Sequence, residues 1–409
     1  GHVQAALPVA KALHHRGIRV AFLALTTAIN VLAATDIPFF TCADLPEAAE
    51  EDTRLIAERL MWDMPQNGVL PPEETAAYLG LNYRDLVAEL GAEAAAEKWA
   101  NGGRQHFHPR RLMERVLDRI APRFVLATNS PRSEKAVIEA AGALDLPSAC
   151  LVDLFALHAV RWIAQPDFAR RIYVLDDSVK AMFVRHGRPA EDILVTGNPA
   201  FDGLTDPTVR AAGMAMRTER GWGEDGRITL LYASTPEPKL HPYTGLPANP
   251  ELPRALERHL VAMVTADPRL ELVIRRHPSE DQEIETAPRI HASPRADDVN
   301  ALVQAVDLVV VTASTVGLQA YLAGTRVLTV ENSVFAQDAP YGAFGMSLPV
   351  PDFPAIAPAV EGLLPELRHN RTSSARPPLR RSATEAIVAD VLEWIGYGKG
   401  MAGHPAKTR

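Results

Sequence analysis

Short runs of branched apolar residues with no polar alternation recur along the chain, each followed by a small-residue turn and then by apolar positions at helical spacing. Asp307–Val311 is one such run and predicts a parallel strand buried on both faces. Thr312, Ala313, Ser314, Thr315 and Gly317 follow it, residues small enough to turn tightly and leave their N–H groups open. Leu318–Ala323 then predicts a helix closed by Gly324, and Arg326–Val330 the next strand. Such a βαβ unit carries unpaired N–H groups and a positive dipole end at its helix N-terminus, where a phosphate sits readily. An ordinary βαβ corner with capping Ser and Thr reads the same way.

A second run, Leu272–Pro278, is LVIRRHP, a buried strand that ends in two arginines and a histidine instead of a turn. Cations at the carboxyl end of a parallel strand point into the crevice where open α/β sheets bind ligands. Two anion-friendly corners in one half of the chain predict a bound diphosphate.

From the start, Ala6, Val9, Ala10 and Leu13 mark the apolar face of a helix that Gly17 closes, with Pro8 early enough to cost one backbone bond. Ile18–Leu25 predicts a strand, Thr27–Ala34 a helix and Ile37–Thr41 a strand. A chain that opens on helix then strand is expected to be preceded by a further strand and a Gly-rich turn. From Cys42 to about Arg110 the rhythm stops, and a segment rich in Ala, Glu and Leu, broken at Asn67-Gly68, Pro71-Pro72 and Gly102-Gly103, predicts helices inserted on one edge. Met61, Trp62, Met64 and Trp99 within it read first as core, and otherwise as a face for an acceptor or a lipid.

The rhythm resumes with a helix at Leu112–Ile120 and strands at Phe124–Thr128, Ser148–Val152, Arg171–Leu175 and Ile193–Val195. Helices fall between them, one opening at Asn129–Ser133 and one at Asp177–His186. Residues 203–225 predict a polar helical stretch ending in an interdomain linker at Trp222–Gly226. Arg227–Ala233 begins a second α/β series, and past a Pro-rich stretch Ser382–Ile395 is the last helix. The expected domains are an N-terminal Rossmann-like domain, 1–203, with the helical insertion at about 42–110, and a C-terminal one, 226–380. A C-terminal helix, 381–398, and a polar tail, 399–409, complete the chain.

A chain of 409 residues is long enough for two full cores. Its 47% hydrophobic and 22% charged residues describe a globular protein, and a net charge of −8 argues against a general nucleic-acid binder. No apolar run reaches the length of a membrane span and no signal peptide is read, so a cytoplasmic enzyme is expected. Cys42 and Cys150 are too few for a disulfide framework and lack metal-ligand spacing.

Four places resemble the GT-B glycosyltransferase superfamily, which includes the lipid II N-acetylglucosaminyltransferase and the UDP-N-acetylglucosamine 2-epimerases. Gly1-His2 before a helix and strand resembles the end of the transferase's Gly-Gly-His loop, and Thr196-Gly197-Asn198-Pro199 a segment near the domain junction. Arg276-His277-Pro278 is similar to the basic strand end facing the donor diphosphate, and Ser314–Gly324 to the donor-binding helix. The resemblance implies an α/β protein of GT-B architecture, two Rossmann-like domains facing each other across a cleft. It implies a donor diphosphate held by Arg276, His277, Ser314, Thr315 and Gly317.

The family's ribose-binding glutamate, five positions before the helix-ending glycine, falls on Gln319, an amide that still bonds a diol but without charge. His2 matches a histidine that is one candidate base in the transferase, and Asp153, at a strand's carboxyl end, is the competing one. Asn198, Glu331, Asn332, Gln337 and Asp338 would line the sugar side of the cleft. The implied activity is transfer of a sugar from a nucleotide-diphosphate sugar, UDP-linked, to a lipid-linked, polysaccharide or small-molecule acceptor. It needs no cofactor and no metal ion, the donor being a co-substrate, and allows peripheral contact with the inner face of the membrane. Two other functions stay open, a UDP-N-acetylglucosamine 2-epimerase and a non-catalytic nucleotide-sugar-binding scaffold.

Overall fold

The computed structural model describes residues 2–62, 70–372 and 382–396. The chain divides into two compact units, Gly1–Ala200 with Arg381–Arg409, and Phe201–Arg380. Met64, Asn67-Gly68 and the polar tail lie outside the described residues.

The first unit opens with α1 (His2–His15), β1 (Phe22–Leu23), α2 (Ala28–Leu32) and β2 (Phe39–Phe40). The strand expected over Ile18–Leu25 is shorter because its parallel partner is short: Phe22 N–H donates to the Pro38 carbonyl (3.0 Å) and Ala24 N–H to that of Phe40 (2.8 Å). Ile18 and Val20 still pack their side chains into the cores on either side. Next come α3 (Glu51–Met61), α4 (Pro72–Leu90), α5 (Ala92–Gly102) and α6 (Arg110–Ile120). The α/β part follows with β3 (Val125–Thr128), α7 (Ser133–Ala143), β4 (Ser148–Leu151), α8 (Val160–Ile163), β5 (Arg171–Val174), α9 (Asp177–Arg185) and β6 (Ile193–Val195). Strands β3 to β6 form a four-stranded parallel sheet in chain order.

The insertion is no appendage on an edge. Leu79, Tyr83, Phe107 and Leu112 share one core with Val125 of β3 and Ala136 of α7. Two carboxylates fasten its ends: Glu74 accepts from the N–H groups of Cys42 (3.2 Å) and Ala43 (3.0 Å), and Asp85 from that of Arg111 (3.1 Å). Trp99 stacks on Phe107 with ring centroids 5.6 Å apart, and Met61 packs against the same core, as the core reading expected. Trp62 differs, at 87% exposed.

The second unit runs through α10 (Pro207–Glu219), β7 (Ile228–Ala233), α11 (Leu252–Ala266), β8 (Leu270–Arg275), β9 (Ile290–Ala292) and α12 (Val299–Ala305). It continues with β10 (Leu308–Val311), α13 (Thr315–Leu322), β11 (Arg326–Val330), β12 (Leu348–Val350) and α14 (Ile356–Thr372). All six strands are parallel, in the order β12-β11-β10-β7-β8-β9. Every residue of β7 and β10 is buried, which explains the unbroken apolar run of β10 and the apolar run of β7, broken only by Thr229, whose hydroxyl donates to Glu271 (2.6 Å).

Two expectations are corrected here. Trp222–Gly226 is not the linker: α10 packs in the second unit, where Arg217 grips Asp307 through both guanidinium nitrogens (3.0 and 2.9 Å). Trp222 is buried, and the Gly223 N–H donates to Glu271. The segment reads as polar because most of its side chains are exposed, with only a few residues such as Trp222 and Gly223 turned inward. Helix α14 hid in what read as a Pro-rich stretch. Its buried Ile356, Val360, Leu363, Leu364 and Leu367 outweigh the bond lost at Pro365.

The last described helix, α15 (Ala383–Trp394), returns to the first unit, where Ile387, Val388 and Val391 share a core with Ala5 and Val9 of α1. Among the described residues no helix is long and apolar enough to cross a membrane.

Candidate functional site

In the second sheet the chain moves outward from β7 through β8 to β9, then restarts at β10 on the other side and moves out to β12. Strand order therefore reverses between β7 and β10. The crevice outside the carboxyl ends of two such strands is where open parallel sheets bind ligands. Ser234, Thr235 and Glu237 leave β7 there, Thr312–Thr315 leave β10, and Arg276-His277 leave β8 one strand further out.

Ser314 caps α13, its hydroxyl accepting from the Val316 N–H (3.3 Å), and Thr315 is exposed at the first helical position. Tyr341 donates its buried hydroxyl to the Ser314 carbonyl (3.0 Å) and so fixes the turn. Burial pushes that phenol's pKa up, which keeps the donor protonated. Gly317 is needed for packing: a Cβ there would lie 2.8 Å from Val311 Cγ2 and 3.3 Å from the Tyr341 ring. Gly317→Ala is expected to cost about 1–3 kcal/mol through overpacking, despite alanine's higher helix propensity. Denaturant unfolding checks this, and a variant as stable as the parent would refute the packing role.

His277 is exposed, and its Nδ1 accepts from the Ser279 N–H (3.2 Å) beside the Ser279 hydroxyl (2.7 Å). A backbone N–H meets only an acceptor nitrogen, so in the neutral ring the hydrogen lies on Nε2. His277 therefore presents an N–H donor, suited to an anion. Its main-chain N–H donates to Glu280 (2.9 Å), which Arg254 ties to Ser234 (2.6 and 2.9 Å). Sequence reasoning passed over Arg254 and Glu280, because an internal ion pair of this kind has no motif.

The remaining expected residues are placed as follows. Arg276 is engaged internally, by Glu257 (3.0 Å) and Gln282 (3.0 Å), with a side chain only 9% exposed. Gln319 turns toward α12 and donates to the Asn300 side chain (2.9 Å). Glu331, Asn332 and Gln337 are exposed on the loop after β11, and Asp338 accepts from Nε2 of buried His241 (2.6 Å). His241 Nδ1 accepts from the N–H groups of Tyr243 (3.2 Å) and Thr244 (3.0 Å). Glu237 likewise accepts from the Ser333 hydroxyl and the Val334 N–H, both at 2.7 Å. The loops after β7 and β11 are thus clasped together on either side of the β10 turn.

In the first unit, Asp153 follows β4, and its N–H donates to the Asn129 side chain (2.8 Å) beyond β3. Asn198, beyond β6, donates to the Asp153 carbonyl and accepts from the Ala200 N–H (2.9 Å). The structure brings Asn198 and Asp153 together at one sheet edge. His2 opens α1 with its Nδ1 buried and without a hydrogen-bond partner, and no bond joins it to Asp153.

Two Rossmann-like units, the second with a ligand crevice at a topological switch point, define a protein of GT-B fold. No family model matches the chain, and no curated protein does. Solved structures resemble it over nearly its whole length. MurG of Acinetobacter baumannii is similar at a TM-score of 0.55 and 14% identity, covering 96% of each chain. The calicheamicin glycosyltransferase CalG4 is similar at 0.55 and 15%, covering 97% of this chain and 96% of that one. The UDP-GlcNAc 2-epimerase of Neisseria meningitidis, solved with UDP-GlcNAc, is similar at 0.54 and 12%, covering 96% and 97%.

Proposed function

We propose that the protein is a glycosyltransferase that moves a sugar from a nucleotide-diphosphate sugar, UDP-linked, to a lipid-linked or polysaccharide acceptor. The observation that carries this reading is the switch-point edge, where the capped Ser314–Thr315 turn opening α13 and the His277 Nε2–H lie two strands apart at the carboxyl ends of one sheet. Both are anion donors, and charge on the departing diphosphate grows in the transition state, so preorganised donors there stabilise it. Ser314, Thr315 and His277 bind the diphosphate without a metal ion. Glu331, Asn332 and Gln337 face the sugar, and Asp153 takes the acceptor proton. Fold likeness to MurG and CalG4 supports transfer. The enzyme works on the cytoplasmic side, in cell-surface polysaccharide or glycoconjugate synthesis, in peripheral contact with the membrane.

A thermal-shift titration with UDP, UDP-GlcNAc, GDP, TDP and CDP tests the donor site. UDP at about 100 times its Kd is expected to add about 2.7 kcal/mol of stability. His277→Ala is expected to lose most of that response. A folded protein that answers no nucleotide would overturn the reading, and so would conversion of UDP-GlcNAc to its 2-epimer.

A further inference from the structure

A cavity of about 350 Å³ opens beside β9, the edge strand of the second sheet, two strands out from β7. Trp222, Ile290 and His291 line it together with Arg220, the residue that follows α10. Another part of its wall is the turn before β9, where Ala287 and Ile290 exchange both N–H···O bonds (3.1 and 2.9 Å), so that the chain itself covers this stretch of the edge. None of these residues serves the donor edge.

Two bases stand here in front of two acids. Arg220 pairs with Asp297 (2.9 Å), and His291 Nε2 lies 3.6 Å from Glu271, an ion-pair distance too long for a hydrogen bond. The side chains of Arg220 and His291 are each 34% exposed, those of Asp297 and Glu271 only 10% and 3%. The carboxylates are the inner partners, and solvent meets the cations. Both bases border one indole: Arg220 Cζ lies over the Trp222 ring, 5.7 Å from its centroid, and the centroid of the His291 ring is 6.2 Å away.

The acids are held from behind. Asp297 accepts from the Ser293 hydroxyl (2.8 Å), and Glu271 from the Thr229 hydroxyl (2.6 Å) and the Gly223 N–H. Burial works to raise the Glu271 pKa, but His291, Thr229 and the Gly223 N–H together hold the carboxyl below its usual range and keep it charged. With Nε2 of His291 buried toward that charge, Nδ1 is the nitrogen left for a ligand. Thr229 is gripped in turn by Arg217 (3.3 Å) and, through its N–H, by Asp307 (2.8 Å). An occupant of the cavity therefore bears on the network that fixes α10 to β7 and β10, and registers in the stability of the second unit.

We infer that this cavity is a second ligand site, which takes the phosphate group of a small phosphomonoester on Arg220 and His291 and the rest of the molecule against Trp222 and Ile290. A guanidinium fork and an imidazole, each steadied by a buried acid, present donors to a tetrahedral oxyanion. An imidazole with a carboxylate at one nitrogen and a phosphate at the other is held in its charged form, donating to both. The volume lies at the small end of the range for small-molecule sites and leaves room beyond the phosphate itself, which favours an organic ester over the bare ion. The site stands independently of the transferase reading.

The whole protein carrying His277→Ala, which weakens the donor edge, is titrated with inorganic phosphate and with phenyl phosphate against chloride at constant ionic strength, following the unfolding temperature. It is compared with the same protein carrying Arg220→Gln/His291→Gln or Arg220→Lys in addition. Phosphate is expected to raise the unfolding temperature along a saturable curve, and phenyl phosphate to saturate at lower concentration. Binding of both should weaken at least about tenfold with the two Gln substitutions and fall in between with Lys, as charge without the fork allows. A single cooperative transition without ligand shows that the Gln variant folds. Where that transition is lost, Arg220→Lys decides alone, and unchanged binding there overturns the site. Equal responses in all three proteins, or no saturable response in the first, also sink it while leaving the donor reading intact. Phosphate binding that follows Arg220 and His291 upholds the site whether or not UDP binds at the switch point. Phenyl phosphate that binds no more tightly than phosphate overturns the ester and assigns the site to the bare ion.

Discussion

Asp153→Asn is expected to slow sugar transfer about 10²–10⁴-fold, the range a positioned general base contributes, and to leave UDP binding unchanged. The substitution is a clean one. Asn129 accepts from the main-chain N–H of Asp153, and Asn198 donates to its main-chain carbonyl, so both contacts survive a change from carboxylate to amide. Asn198 also donates to the Asp153 side-chain Oδ1 (3.4 Å), a contact that the amide oxygen of an asparagine can keep, so the change removes the proton acceptor. Release of UDP from the sugar nucleotide at saturating acceptor gives the rate, and thermal shift with UDP gives the binding control. A variant as fast as the parent would pass the base role to His2, with its unpartnered Nδ1, and His2→Gln would then carry the loss.

Asp307→Ala is expected to destabilise the second unit by about 3–5 kcal/mol, the cost of stranding one member of a buried ion pair. Arg217 and Asp307 have side chains 11% and 6% exposed. Asp307 also accepts from the Thr229 N–H (2.8 Å), so a single carboxylate joins α10 to both β7 and β10. Urea unfolding followed by the fluorescence of Trp222, buried in this unit, reads the loss. A change below about 1 kcal/mol would mean that the pair behaves as a solvated one. Replacing both members by apolar residues of similar volume should cost less than Asp307→Ala alone.

The repeating unit of the fold was legible from patterning. Asp307–Val311, Arg326–Val330 and Ile193–Val195 match the observed strands nearly to the residue, most plainly β10, where burial on both faces leaves an unbroken apolar run. Order within the sheet was not. The pairing of β10 with β7, on which the switch point depends, is a contact between segments about 80 residues apart and leaves no local trace. The same holds for Arg276: its partner Glu257 lies on the preceding helix, and a basic strand end looks open until that helix is placed. Gly317 has the small residue type that the turn pattern picks out, but its use is close contact with Val311 and Tyr341, which only the packed structure shows. The clasp through His241, Asp338, Glu237 and Ser333 joins two long loops that, taken singly, read as solvated.

The return of α15 to α1 makes the first unit discontinuous in sequence and the second an insert within it. The two flanks of that insert meet inside the first unit, where a Cβ on Gly197 would stand 3.3 Å from that of Ala383. During synthesis every strand of the second sheet has been made before the helix that covers α1 exists. An inserted module of this kind folds with only its leading end held, and its trailing end is pinned when the host receives its last piece from the ribosome.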